Sequence, residues 1–386
     1  MLALNPIYAT MGTTIFEHMS ALCRDGSRIN LGQGFPDDCG PPVLIEAAAR
    51  ALRARSNQYP PSPGVPELRD AVAAWYGETQ GLDLSRENVI VTSGATEAIT
   101  AAVLAVVSPG DEVLLFAPAY DAYAPLVRRA GGVAVFVALQ PPHWCYNRVA
   151  IEPHITPKTR AIMLNDPLNP TGTVARHEEL AMLAQICLEH DLFAICDEVW
   201  EAVRFDGRPH RSLLSYPGME SRAVKIGSAG KIFGMTGWKV GWLIAAPEVA
   251  SVMARAHQFI TFTTPPALQY AVAEGLAMPG LIAERLTAWA DTRDGLNTAL
   301  KAAGFAVLPN AATWFTCIDL PGSGIRLNDA DFAERAVMEA RVASIPVSAL
   351  CEDKPVTTVL RLCHCKPEAM LLQAVERLAH LRDSLQ

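Results

Sequence analysis

Short apolar runs alternate with helix-like patterns along most of the chain, and this alternation limits the fold more than any other feature. Runs such as Ala161–Leu164 and Phe193–Cys196 are apolar throughout and too short to be helices. Strands of this kind are buried on both faces, which is typical of parallel sheets covered by helices. The sequence therefore predicts an α/β fold with a mostly parallel central sheet.

The individual elements follow from these patterns. The predicted strands are Asn88–Thr92, Glu112–Phe116, Val133–Ala138, Ala161–Leu164, Phe193–Cys196, Val224–Ile226 and Trp242–Ala245. The predicted helices among them are Glu46–Arg55, Glu67–Gln80, Thr96–Val107, Tyr123–Ala130, Glu178–His190 and Pro247–Phe259. A long helix, Leu281–Ala303, is followed by a β-α-β-α pattern: Trp314–Asp319, Asp329–Arg341, Val359–Cys363 and Pro367–Ser384.

This order of elements indicates three parts of the chain. Residues 41–285 are expected to form a large domain around the sheet. Residues 286–386 are expected to form a small α+β domain, against which an N-terminal segment, residues 1–40, packs.

Composition excludes several classes of partner. Half of the 386 residues are apolar, so the chain can bury a large core without disulfides. A net charge of −8 argues against nucleic acid. The longest apolar run, Ala98–Val107, is too short to cross a bilayer, and residues 1–6 lack the basic leader of a secretory signal. We therefore expect a cytoplasmic protein without membrane contact.

The cysteines support the same location. There are nine, scattered and without a Cys-x-x-Cys motif, as expected for reduced thiols. Cys363-His364-Cys365 does not have the spacing of a zinc site, and in a strand its two cysteines would share one face. No metal site is expected.

The stretch Ser228–Trp242 places an amine among glycines directly after an apolar strand. Its four glycines let the backbone approach a ligand closely. A lysine is a nucleophile only when it is unprotonated, and its ordinary pKa is about 10.4. Partial burial and a second cation, for which Lys239 is a candidate, would lower the pKa of Lys231. The stretch favours an amine that bonds to a carbonyl, although a lone Gly-Lys pair is more often a surface lysine.

Three further polar motifs follow predicted strands, where open parallel sheets bind ligands. Thr92–Glu97 leads small residues into a helix, whose free N–H groups favour a phosphate. Asn165–Gly172 is a rigid loop in which Asn169 offers an amide, and the bond before Pro170 is a candidate for cis. Asp197 ends a strand, where a carboxylate is costly unless paired. Taken alone, the first motif is also compatible with a helix cap, the second with a tight turn and the third with a capping aspartate.

Together, the amine, the acid, the amide and the phosphate cup match pyridoxal 5′-phosphate. A lysine bonds the aldehyde, an aspartate keeps the ring nitrogen protonated, and an asparagine holds the ring oxygen. At an effective dielectric constant of about 20, the aspartate–ring pair is worth roughly 4 kcal/mol.

These motifs, in this order, resemble the class I aminotransferases among the fold-type I pyridoxal phosphate enzymes, over nearly the whole chain. A narrower resemblance, to the subgroup that contains methionine aminotransferase and kynurenine/glutamine transaminase, rests on shorter stretches. They are Thr13–Phe16, Asn30–Asp37, Pro118–Tyr123, His257–Gln258 and Arg361–Cys363. The resemblance implies a large domain with a mostly parallel sheet, a small α+β domain and a homodimer with two shared active sites.

The resemblance also implies residue roles. Lys231 forms the aldimine with the cofactor and later moves the proton at the substrate Cα. Tyr120 stacks on the ring, while Asn169 and Asp197 hold its oxygen and nitrogen. The implied phosphate contacts are Gly94, Ala95, Thr96, Ser228 and Lys239, with Tyr59 reaching in from the neighbouring subunit. The implied contacts of the substrate carboxylate are Arg361, as a bidentate fork, Asn169 and the Gly34 backbone.

Three positions depart from the family pattern. Trp200 stands where the family usually has a tyrosine whose hydroxyl bonds the ring oxygen, and an indole N–H is placed differently. Trp200 is therefore a predicted cofactor contact without that role. Gly230 replaces a common serine, and Lys239 gives a point charge where arginine would give a fork. The last two occur in the narrower subgroup.

The predicted function is transfer of an amino group in two half-reactions. A neutral amino acid, such as methionine, glutamine or an aromatic one, donates the group to the cofactor, and a 2-oxo acid receives it. Residues of this kind more often belong to the core, but the candidates for an apolar pocket are Phe16, Phe35, Tyr123, Phe262 and Trp314. A carbon–sulfur β-lyase on the same cofactor is the alternative, and a non-catalytic regulator, which would need a basic DNA-binding domain, is a remote one.

Overall fold

A computed structural model describes residues 4–385, so residues 1–3 and 386 of the predicted terminal parts lie outside the described residues. Its helices are α1 Pro6–Ala9, α2 Ile15–Leu22, α3 Pro42–Ala54, α4 Pro66–Gln80, α5 Ala95–Val106, α6 Tyr123–Arg129, α7 Arg148–Ile151, α8 His177–Glu189, α9 Ala229–Ile232, α10 Pro247–Gln258, α11 Pro266–Leu276, α12 Pro279–Ala302, α13 Asp329–Met338 and α14 Glu368–Ser384. Its strands are β1 Ile29–Asn30, β2 Val89–Ser93, β3 Glu112–Ala117, β4 Val133–Ala138, β5 Thr159–Asn165, β6 Phe193–Asp197, β7 Ala223–Ser228, β8 Val240–Ile244, β9 Ala306–Val307, β10 Phe315–Asp319, β11 Val342–Ala343, β12 Ile345–Pro346 and β13 Val359–Cys363.

Seven strands form the central sheet in the order β2-β8-β7-β6-β5-β3-β4. Neighbouring strands run parallel except β8, which is antiparallel to both β2 and β7. Successive residues of β5 face opposite sides: Ile162 belongs to the apolar core that includes α4 and α8, and Met163 to the core that includes α5 and α10. The predicted α/β fold with a mostly parallel, helix-covered sheet is confirmed.

A second sheet lies in the C-terminal part and has the antiparallel order β12-β13-β10-β9. It packs with α13 and α14 around its own apolar core, which includes Phe332 and Leu378. The N-terminal segment contacts this part, because β1 pairs in parallel with β11, with Ile29 opposite Val342. The boundaries at residues 40 and 285 stay predictions.

The structure adds elements that the sequence patterns did not predict. The largest is α11, which begins at Pro266 directly after Pro265. Two adjacent prolines are typical of a break in a helical pattern, but a proline is also favoured at the first helical position because its missing N–H has no partner there. The same rule explains the start of α4, which begins at Pro66, one residue before the predicted helix Glu67–Gln80.

Candidate active site

A cavity of about 650 Å³ lies at the carboxyl ends of the central strands. Strands β5, β6 and β7 end there with Asn165, Asp197 and Ser228, which all line the cavity. Because β8 is antiparallel, it begins at this same edge and brings the preceding Lys239 to it. Twelve of the predicted site residues line the cavity: Gly34, Gly94, Ala95, Thr96, Tyr120, Asn169, Asp197, Trp200, Ser228, Lys231, Lys239 and Arg361.

Lys231 lies on α9 with its amine among aromatic rings. Its Nζ is 4.6 Å from the ring centre of Trp200 and 5.0 Å from that of Trp314, and it donates a long bond of 3.4 Å to the Gly34 carbonyl oxygen. Burial lowers the pKa of Lys231 to about 8, and the charge of Arg361 adds to the lowering. The second cation that lowers the pKa of Lys231 is therefore Arg361 and not Lys239, the candidate from the sequence. A substantial fraction of this amine is unprotonated at a pH near 8.

Asp197 is a buried carboxylate whose charged form would be stabilised by a cation. Burial raises its pKa to about 6, although the Tyr123 hydroxyl, which donates to its Oδ2 at 2.5 Å, and the Val199 N–H oppose the rise. Tyr123 had been considered only as an apolar pocket residue. It does line the cavity, and its phenol also holds the carboxylate in place, a role that the sequence pattern around Tyr123 does not reveal.

Arg361, on β13, is buried, and its guanidinium keeps a donor available for a ligand. Its Nη1 donates to Asn169 Oδ1 at 3.0 Å and its Nη2 to the Gly32 carbonyl oxygen, while its Nε has no partner among residues 4–385. The guanidinium carbon lies 4.0 Å from the ring centre of Phe315. Burial lowers the pKa of Arg361 to about 10, so the group remains charged near neutral pH. The backbone carbonyl beside it is that of Gly32; Gly34 faces Lys231.

Asn165 organises the loop that carries Asn169. Its Oδ1 accepts the Asn169 N–H at 2.8 Å, and its Nδ2 donates to the Asp197 carbonyl oxygen at 2.9 Å. The bond between Asn169 and Pro170 is cis, as the sequence suggested. Asn165 thus joins the predicted amide and the predicted acid. Asn165 belongs to the predicted loop motif, but nothing in the sequence indicates this function.

The turn from β2 into α5 forms a cup of backbone N–H groups. Gly94 precedes the helix with a φ of 77°, a left-handed conformation that favours glycine. A Cβ at Gly94 would lie 3.2 Å from Lys239 Nζ, so the absence of a side chain lets this ammonium approach the cup. A helix N-terminus with an adjacent cation is suited to a phosphate.

The first turn of α5 also carries Glu97, whose negative charge is balanced by His257. Glu97 Oε1 lies 2.6 Å from His257 Nδ1, and His257 Nε2 lies 2.9 Å from the Ser62 carbonyl oxygen. Because both ring nitrogens face acceptors, the imidazole is charged. Burial lowers the pKa of His257, but the hydrogen bond and charge of Glu97 outweigh it and raise the pKa. The negative charge beside the cup is thereby compensated.

Aromatic side chains close the cavity around the amine. Trp200 is buried and meets Trp314 edge-on with 4.9 Å between ring centres. Among the pocket candidates, Phe16 and Tyr123 line the cavity. Trp314 is fully buried behind Trp200, whereas Phe35 and Phe262 are each 40% exposed.

Tyr59 is the one predicted site residue that does not line the cavity. Its side chain is 81% exposed and contacts Phe262 edge-on at 5.3 Å between ring centres. The predicted contact of Tyr59 with a neighbouring subunit stays a prediction.

A charge network that no sequence pattern predicted lies next to Asp197. Lys225 is fully buried on β7, and its ammonium contacts the carboxylates of Glu198 and Glu201. His210 Nε2 lies 2.8 Å from Glu198 Oε2, and Gln80 donates to Glu201 at 2.7 Å. Ligand atoms of Glu198, Glu201 and His210 lie within 4.8 Å of one another, as around a metal ion, but here the ammonium of Lys225 supplies the cation.

The donor set fits pyridoxal phosphate. The cup at Gly94 with Lys239 suits its phosphate, and the raised pKa of Asp197 marks a carboxylate that gains from a cationic ring nitrogen. Lys231 offers an amine with a lowered pKa. The unpartnered Nε of Arg361 leaves a donor for a substrate carboxylate.

Comparisons with known proteins agree with this geometry. Residues 27–378 match the family described as aminotransferase class I and II. The chain is 39% identical to methionine aminotransferase of Escherichia coli, covering 96% of each chain, and 33% identical to human kynurenine–oxoglutarate transaminase 1, covering 91% of each. The solved structure of N-succinyldiaminopimelate aminotransferase from Mycobacterium tuberculosis superposes with a TM-score of 0.94 at 39% identity, covering 98% of this chain and 100% of that one.

Proposed function

This chain belongs to the class I and II aminotransferase family, and we propose that it uses pyridoxal 5′-phosphate to move an amino group from a neutral amino acid to a 2-oxo acid. The observation that carries the proposal is the convergence of Lys231, Asp197 and Arg361 on one cavity. The sequence-based prediction of an aminotransferase is confirmed by the family. The relatives named above are aminotransferases or transaminases, which does not favour the β-lyase alternative.

Each charged residue has a separate task in this proposal. Lys239 and the N–H groups after Gly94 hold the phosphate, and Asp197, positioned by Tyr123, holds the ring nitrogen. When bound, the cofactor supplies an aldehyde that takes up the amino group and a ring that stabilises negative charge at the substrate Cα. Arg361 fixes the substrate carboxylate through donors that the protein leaves free.

Lys231 is proposed to move the proton between the substrate Cα and the cofactor carbon that has taken up the amino group. A group performs general acid–base catalysis best when its pKa lies near the working pH. Burial brings the pKa of Lys231 to about 8, so the amine both accepts and returns a proton under mildly basic conditions. The tryptophan rings around its Nζ keep bulk water away from the exchange.

The charge balance of the cavity supports a neutral substrate side chain. The cations among the described residues that line it are Lys231, Lys239 and Arg361, and all three have tasks. The further carboxylate of Asp121 also lines the cavity and would repel an acidic side chain. Apolar residues such as Met11 and Leu126 suit side chains like that of methionine.

The test combines absorbance with product analysis. Protein loaded with pyridoxal phosphate should show a visible band that declines when methionine is added, with formation of the 2-oxo acid, and aspartate should react far more slowly. Lys231→Ala should lose at least roughly 10²–10⁴-fold in turnover, the usual contribution of a general acid–base. Lys158→Ala, at an exposed lysine, is the matched control. Normal turnover by Lys231→Ala would refute the assignment, and pyruvate and ammonia released from cystathionine without an oxo acid would indicate the lyase.

We further propose a homodimer in which Tyr59 binds the phosphate in the neighbouring subunit. Its 81% exposure and the 87% exposure of Phe259 leave aromatic surface available for a second copy. Mixing inactive Tyr59→Ala and Lys231→Ala chains tests this directly. Hybrid dimers should regain one functional site, because Lys231 and Tyr59 then meet across the interface. No recovery in verified hybrids would refute a shared active site.

We propose a cytoplasmic location for this enzyme. All nine cysteines are free, as expected in a reducing compartment. None of the helices in the described part of the chain is both long and apolar enough to cross a membrane. Cell fractionation should place the protein with cytoplasmic markers.

A further inference from the structure

Two cysteines at the end of β13 bring their sulfur atoms into contact. Cys363 Sγ and Cys365 Sγ are 3.2 Å apart, and both residues are buried. The chain turns directly after the strand, where the Lys366 N–H donates to the His364 carbonyl oxygen at 2.8 Å. A disulfide bond is about 2.05 Å long, so the sulfurs need to approach by only about 1 Å to bond.

Cations surround this pair and favour one thiolate. Burial raises the pKa of the Cys363 thiol, but the hydrogen bond from Cys365 and the charges of Lys366 and Arg361 lower it to about 7. Burial and the neighbouring Cys363 raise the pKa of Cys365. The two side chains therefore share one proton near neutral pH, as a thiolate beside a thiol. A thiolate is the nucleophilic form of cysteine.

We propose that Cys363 and Cys365 form an oxidisable dithiol beside the substrate site and that a peroxide converts it to a disulfide that weakens substrate binding. The Cys363 thiolate attacks one oxygen of hydrogen peroxide, giving a sulfenic acid and hydroxide, which takes up a proton as water. The Cys365 sulfur then attacks the sulfenic sulfur, the S–S bond forms, and the second oxygen leaves as water. Two thiols and one peroxide thus become one disulfide and two waters.

The disulfide affects the substrate site through β13. Arg361 precedes Cys363 by two residues on this strand, and its guanidinium is held by Asn169 and Gly32. Drawing the sulfurs together moves the backbone at His364 and strains that arrangement. Oxidation also removes a thiolate whose charge acts on both Arg361 and Lys231. This consequence rests on the proposed function, whereas formation of the disulfide does not.

The parent for the test is the cofactor-loaded enzyme with Cys39→Ser and Cys145→Ser, which removes the exposed thiols. After hydrogen peroxide, it should lose two thiols per chain, and the tryptic peptide Leu362–Arg377 should become lighter by two hydrogens. Its kcat/KM for methionine should fall about tenfold, mainly through KM, and recover with dithiothreitol. The same protein with Cys365→Ser should not form this peptide species, because the sulfenic acid of Cys363 then has no second thiol with which to form a disulfide.

Each outcome bears on a separate part of the proposal. An unchanged peptide mass in the parent overturns the dithiol, whether or not Cys365→Ser folds, because the parent alone decides this point. A disulfide without change in kcat/KM overturns its effect on substrate binding. A disulfide in a protein that never transaminates leaves the dithiol standing and refutes the proposed function.

Discussion

Replacing Lys225 with methionine should destabilise the protein more than any change at its surface. The ammonium of Lys225 is fully buried between the carboxylates of Glu198 and Glu201. Methionine fills a similar volume but leaves both carboxylates without their cation. Breaking a buried ion pair from one side typically costs about 3–5 kcal/mol, because the remaining charge is uncompensated.

The structure gives an independent magnitude. Burial alone would raise the pKa of Glu198, but the charges of Lys225 and then His210 lower it from 4.5 to about 2. Lowering the pKa of Glu198 from 4.5 to about 2 corresponds to roughly 3 kcal/mol of stability. Because the folded pKa is depressed, this contribution is present above the ordinary pKa of the carboxyl and is lost as the pH falls through the folded value. At neutral pH, Lys225→Met should therefore lose about 3 kcal/mol.

The assay is urea unfolding of the cofactor-free protein, followed by far-ultraviolet circular dichroism at equal chain concentrations. In Lys225→Met, burial is no longer opposed by the ammonium, so Glu198 takes up a proton more readily than in the wild type. The destabilisation should therefore be largest at pH 8 and smaller at pH 5. Adding Glu198→Gln should restore part of the stability at pH 8, because it removes one of the uncompensated charges.

Two results would refute this reasoning. A loss below about 1 kcal/mol at pH 8 would show that the pair contributes little beyond what a surface substitution changes. A loss that is the same at pH 5 and pH 8 would show that methionine disturbs packing and not charge.

Three further predictions concern the cavity. Tyr123→Phe removes a hydroxyl that donates to charged Asp197 and should weaken cofactor binding by about 1.5–3 kcal/mol, measured by titrating pyridoxal phosphate; unchanged affinity would contradict the role of Tyr123. Lys231→Met should stabilise the cofactor-free chain at pH 7 by roughly 3 kcal/mol, because burial lowers the pKa of Lys231 to about 8. In urea unfolding, the difference in stability between this variant and the wild type should shrink as the pH rises from 8 towards the ordinary pKa of 10.5. A difference that does not change with pH would exclude titration of Lys231 as its cause. Gly94→Ala, at a φ of 77°, should cost about 1–2 kcal/mol and reduce cofactor affinity, whereas Gly280→Ala, which meets nothing within 4 Å, should do neither; equal effects would argue against the cup.

Sequence patterns predicted those site residues that end strands. Asp197 stands out because a carboxylate closing an apolar strand is costly without a partner. Asn169 lies in a loop just past a strand end and follows from related geometry, since the carboxyl ends of parallel strands share one edge of the sheet. Arg361 carries no such local signal and was identified only through the resemblance to a family.

Residues that act by contact with other site residues could not be predicted in this way. Tyr123 lies in an aromatic stretch typical of packing, and its partner Asp197 is distant in sequence. Lys225 sits in an apolar strand whose pattern does not tell which face meets Glu198. The direction of β8 was equally hidden, because a fully buried strand has the same apolar pattern in either direction.

The position of β8 in the sequence means that the proposed cofactor contacts are synthesised before Arg361. The proposed contacts to the cofactor within one subunit are complete once the ribosome has made β8, which ends at Ile244, whereas Arg361 follows more than a hundred residues later. At about 5–20 residues per second, this interval lasts roughly 6–23 s. A nascent chain can therefore close its sheet around the cofactor before it has the arginine proposed to bind the substrate carboxylate.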